Sequence, residues 1–155
     1  MSQLQRSPIV TAGIFLGVGL GSFIDGILLH QVLQWHNMLS SRVPPTDLVS
    51  MKYNMIWDGL FHVFSWLMTA VGVGLLWRAG GQRERVYSGR LFGGALALGW
   101  GLFNFVEGVI DHELLGLHHV HGEVNQLAWD LGFLALGAAL IGIGAVAIRG
   151  QRSER

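Results

Sequence analysis

Four stretches of this chain, 8–33, 55–77, 91–110 and 127–148, are apolar over lengths close to the ~20 residues that a helix needs to cross the ~30 Å hydrocarbon core of a bilayer. Lipid offers no hydrogen bonds, so a segment that crosses it must satisfy its own backbone, and four such segments imply four helices. The expected fold is therefore all-α, a four-helix transmembrane bundle forming one membrane domain over 1–155. Charged residues make up only 13% of the chain, too few to cover a soluble surface. The 23 glycines fall largely inside the apolar stretches, where small residues let neighbouring helices approach closely. The first stretch is too long for a secretory leader and carries Asp25, so it reads as a retained span. The absence of cysteine excludes disulfides and thiolate metal ligands.

The basic residues are unevenly placed. Arg6, the group Arg78, Arg83, Arg85 and Arg90, and the group Arg149, Arg152 and Arg155 all flank one side of a four-span chain. The other side has Arg42 and Lys52, and the third-to-fourth connection has neither Lys nor Arg. By the positive-inside rule both termini and the 78–90 linker are cytoplasmic, and the His-rich connections face outward. The basic flanks then serve as topology determinants, not as a nucleic-acid surface.

Within the spans a motif occurs twice. Residues 19–38 read GLGSFIDGILLHQVLQWHNM and 101–120 read GLFNFVEGVIDHELLGLHHV. Aligned without a gap, Phe23 falls on Phe105, Asp25 on Glu107, Gly26 on Gly108, His30 on His112, Leu33 on Leu115 and His36 on His118. The match continues with Asn54, Trp57, Asp58 and Phe61 on Gln126, Trp129, Asp130 and Phe133. The chain thus reads as an internal duplication of a helical hairpin, 8–77 and 91–148. The two hairpins have the same topology and are related by a pseudo-twofold axis along the membrane normal. Apolar residues recur in any membrane helix, but ionisable groups recurring at identical positions require a reason.

The run D-G-I-L-L-H-Q-x-L-Q-W-H at 25–36, N-M-x-x-D-G-L-F-H at 54–62, F-N-x-x-E-G-x-I-D-H at 103–112 and the following His118-His119-Val120 resemble a family of small bacterial four-span membrane proteins of unknown function. The resemblance covers nearly the whole chain. It implies the topology and a multi-pass place in the bacterial cytoplasmic (inner) membrane, and it implies no activity.

Candidate ligands gather in one layer in the outer half of the membrane: Asp25, His30, His36, Asp58, His62, Glu107, Asp111, His112, His118 and Asp130. Acids in spanning helices are costly, so these should face inward and share partners. Asn54, Asp58 and His62 form one helical stripe, and Glu107 and Asp111 another. On a regular helix His30 and His112 would lie about 140° around from Asp25 and Glu107, which separates them from those acids. Imidazole with carboxylate suits zinc, iron or copper, and bundle cores build such sites from facing helices. Singly, His118, His119 and His121 read as solvated loop residues, Trp35, Trp57, Trp100 and Trp129 as interface anchors, and Met38, Met51 and Met55 as packing. Two small-residue rows, Gly13/Gly17/Gly21 and Gly93/Ala97/Gly101, read as helix contacts.

The expected function is a membrane metalloprotein, either a metalloenzyme or a metal carrier that serves a respiratory oxidase or receives its ion from a periplasmic donor. A proton or ion pathway and a haem held by His30 and His112 are the competing readings. The sequence leaves oligomeric state open, with the lipid bilayer as the one certain partner.

Overall fold

A computed structural model describes residues 3–81, 88–122 and 124–150. Helix α1 (Gln3–Ile24) runs on into a π-helical segment, π1 (Asp25–Val32); α2 spans Leu48–Gly80. Helix α3 (Gly89–Glu107) likewise continues as π2 (Gly108–Leu114), and α4 spans Gln126–Gly150. Four helices are long and apolar enough to cross a membrane: Pro8–Val32, Leu48–Gly80, Gly89–Leu114 and Gln126–Gly150. Arg83, Arg85, Arg152 and Arg155, which enter the orientation argument, lie outside the described residues.

Helix α2 starts well before its apolar stretch. Asp47 accepts hydrogen bonds from the Val49 and Ser50 amides at 2.8 and 3.1 Å, and the Ser50 hydroxyl accepts from the Asp47 amide at 3.1 Å. This capping box satisfies donors that the first turn leaves free. Asp58 consequently sits about 15 Å along α2 from its start, not one turn from it as the apolar boundary implies.

Helices α1 and α3 form the centre; α2 packs on the outside of α1, and α4 on the outside of α3. Glycine sets these contacts. A Cβ on Gly17 would overlap the Leu96 carbonyl, and one on Gly99 would overlap the Ile14 carbonyl, so α1 and α3 touch backbone to backbone. Gly72 receives Leu16 between α1 and α2, while Gly101, Gly137 and Gly144 line the α3–α4 contact. The Gly13/Gly17/Gly21 row faces α3 as the sequence suggests. Gly93/Ala97/Gly101 is not a single stripe: Gly93 has nothing within 4 Å of a Cβ, and Gly101 faces α4. The reason is that α3 is held between two neighbours and divides its small residues between them.

The π segments revise the angular argument. Leu33 donates to the Leu28 carbonyl and Leu115 to the Ile110 carbonyl, each at 2.8 Å. This i→i+5 pattern puts residues five apart on one face. Asp25 therefore comes beneath His30 and Glu107 beneath His112, where a regular helix would separate them. Both segments end in left-handed backbone, at Gln34 (φ 52°) and Gly116 (φ 53°).

Candidate metal-binding site

Beyond each π segment the chain folds back over the end of the bundle, so that residues past the helices return to its interior. The two connections brace one another. Ser41 donates to the Leu117 carbonyl at 2.9 Å, Gly122 to the Trp35 carbonyl at 3.3 Å, and Arg42 Nε to the Leu115 carbonyl at 3.0 Å.

Beneath these connections lie four histidines, three of them hydrogen-bonded at Nδ1. His30 Nδ1 is 3.1 Å from Asp58 Oδ1, and His112 Nδ1 is 3.2 Å from Asp130 Oδ1, the latter too oblique for a hydrogen bond. His36 Nδ1 meets the Val120 carbonyl at 2.8 Å, and His118 Nδ1 meets the Met38 carbonyl at 3.2 Å. Residues 36 and 118 thus exchange supports, each imidazole resting on the other connection's backbone. A carbonyl only accepts, so Nδ1 carries the proton in both rings; a neutral His36 then presents a lone pair at Nε2, whereas His118 Nε2 is hydrogen-bonded to the Glu107 carboxylate. Burial, with the His118 and His30 imidazoles beside it, pushes His36 down to about 2, which keeps it neutral.

The supporting acids are themselves tied down. Asp58 accepts from the Met38 amide at 2.8 Å and from Asn37 Nδ2 at 2.7 Å. Asp130 accepts from the Val120 amide at 2.9 Å and from His119 Nδ1 at 2.6 Å. Their carboxylates are turned toward the imidazoles and the connections.

The Nε2 atoms converge with two further carboxylates. His30 Nε2 lies 3.2 Å from Asp25 Oδ2, and His112 Nε2 lies 3.2 Å from Glu107 Oε1, neither aligned for a hydrogen bond. His118 Nε2 and Glu107 Oε1 are 3.0 Å apart. The rings of His36 and His118 stack at 4.5 Å, with His30 4.4 Å from His36 and His112 4.7 Å from His118. None of Asp25, His30, His36, Asp58, Glu107, His112, His118 and Asp130 is more than 7% exposed. Two ligand sets, His30/His36/His118 and Glu107/His112/His118, have their atoms within 4.8 Å of one another. Asp25 Oδ2, Glu107 Oε2, the Nε2 atoms of His30 and His36 and both ring nitrogens of His112 are buried without a hydrogen-bond partner. Orphaned polar atoms at such density are costly unless a shared ligand satisfies them. Separations near 3.2 Å are also what ligands ~2.0–2.2 Å from a common ion show. The arrangement is able to hold a metal ion.

The ten sequence candidates divide cleanly. The eight that the alignment pairs, Asp25/Glu107, His30/His112, His36/His118 and Asp58/Asp130, come together here. His62 and Asp111, whose aligned partners are apolar, do not. His62 Nδ1 bonds the carbonyl of Asp58 at 2.7 Å, one turn back, and its ring packs against Phe23 and Phe61. Asp111 is half-buried at the side of the bundle. Asn54 holds the first connection, donating to the Val43 carbonyl at 2.8 Å. His118 is fully buried, contrary to its reading as a solvated loop residue, and His121 packs beside Trp35 at 5.0 Å. The Met38 and Val120 carbonyls are invisible to sequence reading, because backbone supports carry no side-chain signature.

A cleft of about 330 Å³ reaches His30 and Asp58 from the connection end, lined also by Gln31, Asn37, Met51 and Met55. It offers a polar approach to the imidazoles, with two thioethers on its wall.

Residues 12–151 match the family described as predicted membrane protein (DUF2243), and the chain belongs to it. No curated protein and no solved structure matches the chain.

Proposed function

We propose that this member of the DUF2243 family holds a resident transition-metal centre between two duplicated helical hairpins, 8–77 and 91–148. His30, His36, His112 and His118 bind through Nε2, and Asp25 and Glu107 bind through oxygen. The observation that carries the reading is the outward anchoring of three imidazoles, His30, His36 and His118, at Nδ1, with the Asp130 carboxylate 3.2 Å from the same atom of His112. Metal-bound histidines characteristically give their second nitrogen to a carboxylate or carbonyl, which fixes tautomer and ring orientation. Here Asp58 and the Met38 and Val120 carbonyls fill that role, and Asp130 lies close to His112 Nδ1 without a hydrogen bond. A nitrogen- and oxygen-donor set without sulfur suits zinc or iron, and also copper(II). With both termini cytoplasmic, the site faces outward in a bacterial inner membrane.

A resident centre suits this geometry better than a carrier's transfer site, because both connections must open before the ligands are freed. The carrier reading keeps one favourable observation, the Met51/Met55 wall of the polar cleft. Haem fits poorly, since imidazoles packed at 4.4–4.7 Å leave no slot for a porphyrin plane. A relay fits poorly because backbone contacts between α1 and α3 close the bundle beyond the site.

Elemental analysis of protein purified without chelator tests the reading. Stoichiometric metal is expected in wild type and in His62→Ala, with loss in His118→Ala and in Glu107→Gln. Metal-free wild type that is not stabilised thermally by zinc, copper or iron would sink it.

A further inference from the structure

A second cavity approaches the same centre from the side. Among the described residues no Cα of α2 lies within 8 Å of one in α3, and only side chains such as Phe61 and Phe103, 5.9 Å apart, bridge the gap. The gap holds a cavity of about 450 Å³ whose walls include Phe61, Phe64, Leu102, Phe103 and Val106. Its only polar lining comes from Glu107 and Asp111. Along α3 and π2 the apolar walls come first and the carboxylates last, so the polar groups lie at the end nearest the histidines. Phe64, Leu102 and Val106 are themselves exposed on membrane-spanning helices, so the cavity borders the lipid.

This lining specifies an occupant. The apolar border at membrane depth means that the ligand comes from the bilayer. The three phenyl rings suit a flat aromatic ring, which packs on them edge-on or offset. Both polar groups are carboxylates, which accept hydrogen bonds, and Glu107 Oε2 is buried without a partner. The head must therefore donate. Fatty acids and phospholipid headgroups would set anion against anion and are disfavoured. The volume falls within the ~300–1,000 Å³ of ordinary small-molecule sites and takes one ring with part of a tail. We infer that the cavity between α2 and α3 binds a lipid-soluble hydroxyaromatic, of the quinol or phenol class, with its hydroxyl donated to the Asp111 carboxylate, beside Glu107.

The inference deepens the metal reading, on which it rests for its significance, by naming the ligand that would lie beside the ion. Asp111 marks the asymmetry of the two halves: the aligned residue is Leu29, so only this side carries the extra acceptor.

The test is an anaerobic calorimetric titration of the detergent-purified protein with trimethylbenzoquinol and, separately, with its dimethyl ether, with metal content assayed on the same samples. Saturable binding of one quinol per chain is expected. The ether, lacking a donor, should bind at least about tenfold more weakly, as loss of a hydrogen bond to a charged acceptor implies. Asp111→Leu should weaken quinol binding about tenfold while retaining metal. Leu102→Trp and, independently, Val106→Trp fill the cavity and should abolish binding with helical content and metal unchanged. Absence of saturable binding, equal binding of the ether, or full binding in both tryptophan variants overturns the inference. Metal present without quinol binding refutes this proposal alone, whereas quinol binding without metal refutes the metal reading alone.

Discussion

Replacing Asp58 with asparagine separates a residue that supports an imidazole from one that binds metal. Every neighbour of the Asp58 carboxylate is a donor: His30 Nδ1 at 3.1 Å and the Met38 amide at 2.8 Å on Oδ1, with Asn37 Nδ2 at 2.7 Å and Gln31 Nε2 at 3.5 Å on Oδ2. An asparagine retains one acceptor. Its least costly arrangement keeps that oxygen toward His30 and Met38, and lets Asn37 flip its own amide to accept from the new NH2. What is lost is the charge on the acceptor facing His30. A hydrogen bond to a charged group contributes ~1.5–3 kcal/mol and a neutral one ~0.5–1.5, so the deficit is ~1–2 kcal/mol. At ~1.4 kcal/mol per decade, metal affinity should fall roughly 5- to 30-fold, overlapping the ~10–100-fold typical of such supporting residues.

Competition titration against a chromophoric chelator reads that affinity, and elemental analysis at saturating metal should still give full stoichiometry. A double-mutant cycle closes the argument: in a His30→Ala background, Asp58→Asn should cost no further affinity, since its effect passes through that ring. An unchanged affinity for Asp58→Asn, or loss of stoichiometric binding as severe as in His118→Ala, would refute the assignment. The first outcome would mean that the contact orients nothing, and the second that Asp58 is itself a ligand.

Gly99→Ala should lower stability by ~1–3 kcal/mol, as overpacking does, because its Cβ meets the Ile14 carbonyl; Gly93→Ala, with open space, should not. Thermal unfolding in detergent compares the two, and equal melting temperatures would contradict the backbone-to-backbone contact. Metal occupancy should fall on acidification, since protons compete with the ion for imidazole nitrogen and carboxylate oxygen, and occupancy constant from neutrality to about pH 4 would count against this ligand set. Hydrogen bonds from Ser50 and Val49 hold the Asp47 carboxylate below its usual 3.8, so its cap contributes above that value and is lost as pH falls through the lowered one. Amide exchange at Val49 and Ser50 should accelerate over that acidic window and at all pH values in Asp47→Ala; exchange indifferent to both changes would remove the cap from the account.

Much of this was legible in the sequence, and each limit has a physical origin. Four apolar stretches of spanning length fixed the helices, since lipid permits little else. The paired acids and histidines drew attention because an ionisable group repeated within an apolar helix has few structural excuses, and the eight paired residues lie together, none more than 7% exposed. His62 misled because i, i+4 spacing from Asp58 is a property of one helix, while burial against α1 depends on which face α2 presents. The start of α2 was misjudged because hydropathy reports where lipid begins, whereas the Asp47 cap reports where the helix does.

The π segments are where local preference and the site disagree. Their sequences, DGILLHQV and GVIDHEL, continue apolar helices, and π geometry is rare except as single turns, often at functional sites. A regular helix would carry His30 and His112 away from the acids of their own helices. It would also rotate the connections that return His36 and His118 to the centre. The deformation brings His30 and His112 each to 3.2 Å from the acid five residues before it. Its presence in both halves, at Asp25–Val32 and Gly108–Leu114, shows that the same geometric demand acts on each. Irregular backbone that persists against local preference must be held by something that needs it. In this bundle the imidazoles, their carboxylate supports and the interlocked connections all depend on those two extra-wide turns.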